Sequence, residues 1–153
     1  MRIDKFTAKL QQALSDAQSL AVGRDHNSLA PMHLVQTLLR QQGGSVKPIL
    51  VQMGVDTVAM ERELDRLIDR LPQIKENLGD VQMSPELGKL LNLADKNAQH
   101  SGDQFITSEM VFLAAADDQN EVGELFFTLQ IHKESLRRVI DQMRGGTAVD
   151  DAN

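Results

Sequence analysis

The chain uses one pattern twice. The stretch from Leu29 to Leu39, which reads Leu-Ala-Pro-Met-His-Leu-Val-Gln-Thr-Leu-Leu, returns 77 positions later from Ile106 to Ala116 as Ile-Thr-Ser-Glu-Met-Val-Phe-Leu-Ala-Ala-Ala. The same displacement carries Leu10 to Leu87, Leu14 to Leu91, Ala17 to Ala94 and Ala21 to Ala98. Further on the match continues with one residue fewer, at 76, taking Leu50 to Phe126, Val55 to Ile131, Met60 to Leu136 and Leu64 to Ile140. Apolar positions landing on apolar positions through both halves mark a tandem duplication, so the fold must be built from two like units that bury their faces together.

Each unit reads as four helices. Asp4 is placed to cap a first helix in which Phe6, Leu10, Leu14, Ala17 and Ala21 recur at spacings of three and four and share one face, and Gly23 ends it. Pro31 suits a first helical position, opening a short helix through Leu34, Val35, Leu38 and Leu39 that Gly43 and Gly44 stop. Ser45 can cap a third helix, with Pro48 in its first turn and Ile49, Leu50 and Met53 facing inward. A fourth starts from Asp56 and turns Met60, Leu64, Leu67 and Ile68 to one side and a charged run to the other, which reads as a solvated face. From Leu71 to Met83 neither periodicity holds, and Pro72 and Gly79 mark a connection. Ser84 and Pro85 restart the pattern: Leu87, Leu91, Ala94 and Ala98 form the fifth stripe, and Thr107 or Ser108 opens the sixth helix. Two more span about 121–129 and 133–143. No window alternates with β-branched enrichment, so the expected class is all-α, eight helices in two pseudo-twofold-related sets of four, about 4–71 and about 84–144. Residues 147–153, after Gly145 and Gly146, read as the start of a flexible linker.

Composition narrows the function. Twenty-two acids against 16 bases give a formal charge of −6, with no basic patch to meet a phosphate backbone, so nucleic acid is not an expected partner. Five Phe without Trp or Tyr leave no stacking platform for bases. There is no cysteine to form a disulfide or thiolate metal site, and no apolar run long enough to span a membrane, which fits a cytoplasmic setting. None of His26, His33, His100 and His132 stands in a recognisable metal motif, and His33 reads as a packed imidazole. No phosphate loop, nucleophile elbow or HExxH pattern occurs, so neither a cofactor nor catalysis is expected of this segment. Seven Met exceed the aromatic residues; six read as core filler, with Met1 the initiator. The two copies differ most usefully on the fifth helix. There Leu90 and Leu93 lie beside the shared stripe, and Leu93 stands where the first copy has Asp16, which suggests extra apolar surface for an extended or helical peptide.

Specific residues carry a family resemblance: the opening Met1-Arg2-Ile3-Asp4-Lys5-Phe6-Thr7, Ala13-Leu14 with Ala17-Gln18-Ser19-Leu20-Ala21, Leu29-Ala30-Pro31-Met32-His33-Leu34, Gln42-Gly43-Gly44-Ser45-Val46, and Gly79-Asp80-Val81-Gln82. From Met1 to about Gly146 the chain resembles the amino-terminal domain of the ClpB protein disaggregases. The resemblance implies a monomeric, mobile domain that engages unfolded or aggregated polypeptides. It would be tethered to a homohexameric AAA+ motor that binds ATP and magnesium outside this segment and works with the DnaK chaperone system. It further implies a substrate surface with a polar border at Thr7, Asp103 and Glu109 and an apolar patch at Leu91, Leu93 and Met110. Asn97 departs from the pattern, where leucine is usual. The related Clp protease unfoldases, whose domain docks adaptors or, in one branch, phosphoarginine through a glutamate in each repeat, are the alternative. Glu109 fits that pattern, but its first-repeat counterpart is Met32.

Overall fold

A computed structural model describes residues 2–76 and 79–153; Met1 of the opening motif, and Asn77 and Leu78 of the expected connection, lie outside the described residues. Within them eight α-helices and one two-stranded pairing are formed, in agreement with the all-α expectation. Helix α1 (Ala8–Gly23) is capped by Thr7, whose Oγ1 accepts the N–H of Leu10 at 3.3 Å, and not by Asp4. Asp4 instead pairs with Arg2 at 2.7 Å in solvent, within a 3-10 turn over Ile3–Lys5. The reason for the late start is tertiary. Phe6 is extended and bridged in parallel to Ile106, which holds the chain out of helix until Thr7.

Helix α2 (Pro31–Arg40) starts with its proline as read, but ends before Gly43. Helix α3 (Val46–Gln52) and helix α4 (Thr57–Asp69) complete the first repeat, α4 being capped by the Asp56 carboxylate, which accepts the Ala59 N–H at 3.0 Å. Helix α5 (Pro85–His100) is capped by Ser84 and α6 (Ser108–Ala115) by Thr107. Helices α7 (Glu121–Thr128) and α8 (Lys133–Arg144) follow. The connection is less featureless than its composition suggests. Strand β1 (Ser28–Leu29) pairs in parallel with β2 (Gln82–Met83), in the register Ser28 to Gln82 and Leu29 to Met83. Two-residue strands are too short to leave an alternating pattern. The bridge between Phe6 and Ile106 is the image of this pairing in the other half, since the 77-residue displacement takes Leu29 to Ile106 and Phe6 to Met83.

The duplicated stretch forms the centre. Every residue of α6 is buried, as befits a helix that is apolar almost all round, and α2 buries eight of its ten residues. The repeats interlock, α2 packing on α5 and α6, α3 on α6 and α8, and α4 on α7. Methionine is only partly core filler: Met32, Met60 and Met110 are buried, whereas Met83 and Met143 are more than half exposed, because they fall on the outer sides of β2 and α8. The charged side of α4 is also not wholly solvated, for Arg40 of α2 reaches Glu61 and Asp65 across it, both at 2.9 Å.

Candidate functional site

The six residues singled out in the sequence do not form one surface. Leu91 and Met110 are each 1% exposed and belong to the core, where α5 and α6 pack face to face. They present no apolar patch. Leu93 is half-buried and opens onto a cleft of about 290 Å³ between α5 and the turn after α6, which it shares with Leu90, Lys89 and Asp117. Thr7, Asp103 and Glu109 do come together, but as buried groups and not as a wet border. Thr7 is spoken for by its cap bond.

What gathers the polar residues is Arg144, the last residue of α8. Its Nη1 reaches both carboxylate oxygens of Asp103, at 3.1 and 3.0 Å; its Nε donates to Glu109 Oε1 at 3.0 Å; its Nη2 donates to Thr107 Oγ1 at 3.1 Å. The Asp103 side chain is fully buried, and those of Glu109 and Arg144 are 11% and 12% exposed. One guanidinium between two carboxylates leaves excess negative charge in a poorly hydrated place, which needs further donors. The Ser45 hydroxyl supplies one to Glu109 Oε2 at 2.5 Å, linking the first repeat to the second. The main-chain N–H of Val149 supplies another to Asp103 Oδ1 at 2.9 Å. Glu109 also lies in the first turn of α6, where the aligned peptide dipoles favour an anion.

That last donor belongs to the tail. Gly145 and Gly146 adopt φ of +64° and +78°, a left-handed pair that closes α8 through Gly146 N–H to Asp141 O at 3.0 Å and turns the chain back. Residues 147–153 then run without regular structure, and Val149, Asp150, Asp151 and Asn153 form one wall of a groove of about 420 Å³ whose other wall is Thr7, Lys9, Ser45, Thr107 and Glu109. The Gln104 N–H donates to Val149 O, and the N–H of Ala8, in the first turn of α1, donates to Ala152 O, both at 2.7 Å. Among the described residues no cluster of His, Cys, Asp or Glu could hold a metal ion.

Arg144 and Gln104 are not among the residues expected from sequence, Ser45 and Thr107 are expected only at helix starts, and residues 147–153 only as a linker. A signal for Arg144 was present: the 76-residue displacement sets it on Ile68, a fully buried apolar position of α4. Asp103 likewise falls on His26, and Glu109 on Met32. Three charges replace the neutral members of one corner of the first repeat. Breaks in the internal symmetry that agree with one another mark a site better than any single residue does.

Comparison with known proteins agrees with this architecture. The model of the Clp repeat N-terminal domain matches residues 5–130. The chain is 52% identical over 153 residues to the chaperone protein ClpB of Pseudomonas putida, covering all of this chain and 18% of that protein. It therefore spans less than a fifth of the length of the curated relatives it matches. Among solved structures, the Hsp104 N-terminal domain from Candida albicans superposes with a TM-score of 0.85 at 19% identity, over 97% of each chain. The ClpV N-domain in complex with a VipB peptide superposes with a TM-score of 0.73 at 23% identity, over 94% of this chain and 89% of that one.

Proposed function

The chain belongs to the family of Clp repeat N-terminal domains, and from that premise we propose that it is the polypeptide-engaging domain of an ATP-dependent disaggregase chaperone. The observation that carries this reading is the groove beside Asp103 and Glu109, along which a stretch of polypeptide already lies, held by main-chain bonds from Ala8 and Gln104. A groove that satisfies the backbone of an extended segment suits a receptor for clients of many sequences, because every polypeptide carries the same N–H and C=O groups. The peptide complex of the ClpV N-domain, a protein of like fold, adds support from the family's architecture.

The mechanism differs from capture by a large apolar strip, since Leu91 and Met110 are enclosed. An unfolded segment enters the groove in extended form and offers N–H groups to the Asp103 carboxylate and carbonyls to Ala8 and Gln104. Few apolar contacts form, so binding is weak and release fast, as suits a domain that passes clients on to a motor. The motor with its ATP and magnesium, a hexameric assembly, the DnaK system and a cytoplasmic setting belong to the same proposal for the longer protein; no described helix here is long and apolar enough to cross a membrane.

Titrating the isotope-labelled chain with casein, a persistently unfolded protein, tests the reading. Amide shifts are expected to concentrate at Thr7, Gln104 and Glu109. Shifts confined to the Leu93 cleft would move the site there, and none at all would reject polypeptide engagement.

A further inference from the structure

We propose that residues 149–152 are a built-in competitor for the polypeptide groove, so that a client gains access only when this segment lifts away. The inference rests on the groove being the polypeptide site, and it concerns what regulates that site. Three observations carry it. The contacts are backbone contacts: Val149 N–H on Asp103, Val149 C=O on the Gln104 N–H, and Ala152 C=O on the Ala8 N–H. These are the bonds an extended client would make, so tail and client cannot hold Asp103, Gln104 and Ala8 at the same time. The segment is also poorly secured by its side chains, because Val149 is half-buried and Asp150, Asp151, Ala152 and Asn153 are exposed. Its displacement therefore exposes little apolar surface and leaves the core, which runs from Phe6 to Ile140, untouched.

The third observation is the matching corner of the first repeat. There the connection after α4 returns over its own repeat as the tail does after α8, and Ile74 N–H donates to Asp25 O at 2.7 Å, beside the residue that corresponds to Asp103. The chain then pairs through β2 onto β1 and enters α5. The connection is thus fastened at both ends by regular structure. Residues 147–153 form no strand or helix and meet the rest of the domain through the three main-chain bonds at Asp103, Gln104 and Ala8.

The test compares the intact chain with Val149→Pro, which lacks the N–H given to Asp103, and with a chain ending at Gly146, thermal melts confirming that both remain folded. Fluorescein-labelled casein is the probe, read by anisotropy. If the resident segment occupies the groove most of the time, casein binds both variants about fivefold to tenfold more tightly than the intact chain, since apparent affinity scales with the open fraction. A synthetic peptide of residues 147–153 added to the shortened chain reverses the gain. Amide hydrogen exchange at Ala8 and Gln104 is slow in the intact chain and fast in the shortened one. Equal casein affinity in all three proteins, or equal exchange at Ala8 and Gln104, overturns the competitor and leaves the polypeptide site standing. Casein binding to none of them removes the polypeptide site itself, and the competitor with it.

Discussion

His33 shows what one fully buried side chain imposes on the whole. Its Nδ1 accepts the Ala30 N–H at 2.9 Å, which leaves the ring proton on Nε2, facing Nδ1 of His26 at 2.9 Å. A second proton on His33 has no acceptor within that arrangement. Burial first, and then the neighbouring His26, hold the imidazole down to about 4, from an ordinary 6.5. His26 is lowered too, by burial and then by Arg24, with Asp25 and Asp69 opposing. As pH falls below 6.5 the unfolded chain takes up a proton that the folded one refuses until about pH 4, so stability is lost across that window. For His33 alone the loss approaches ~3 kcal/mol. Chemical denaturation at pH 7 and pH 4.5 reads it, and His33→Met, the residue the second repeat carries at Met110, should show a distinctly shallower fall. Parallel falls in both proteins would discharge His33 from the effect.

At the scale of elements, helices were legible and their seams were not. The stripes of α1 and α5 follow from three-and-four spacing, and both burials match. The start of α1 was misplaced because the Phe6 bridge is a contact across 100 residues, which local pattern does not encode. Helix α5 also carries a mismatch. Asn97 is 5% exposed, its Nδ2 has no protein hydrogen-bond partner, and the first repeat has Leu20 at the corresponding place. A buried donor left unpaired costs about 1–3 kcal/mol, so Asn97→Leu should raise stability by roughly 1 kcal/mol after allowing for its extra bulk. A urea midpoint that moves down would instead show that leucine does not fit between α5 and its neighbours.

At the scale of the molecule, duplication was legible because apolar columns survive a fixed displacement, whereas the site was legible only in part. Thr7, Asp103 and Glu109 do converge, but their convergence depends on Arg144 and on a tail whose composition reads as tether. Packing of α2 on α5 and α6, of α3 on α6 and α8, and of α4 on α7 means that neither repeat owns a closed core. Unfolding should therefore follow one transition by fluorescence-free probes such as circular dichroism and exchange alike, and a fragment of residues 1–76 should be largely unfolded. A helical, cooperatively melting fragment would contradict this.

The charges that break the internal symmetry have a numerical consequence. A doubled receptor would ordinarily offer two equivalent seats and bind with a stoichiometry of two. Here the counterpart groove of the first repeat, about 210 Å³ between Ala30, Met32, Glu86 and Glu121, has Met32 where the second has Glu109; on the proposed reading one equivalent of client is expected per domain, and any avidity must come from bringing several such domains together.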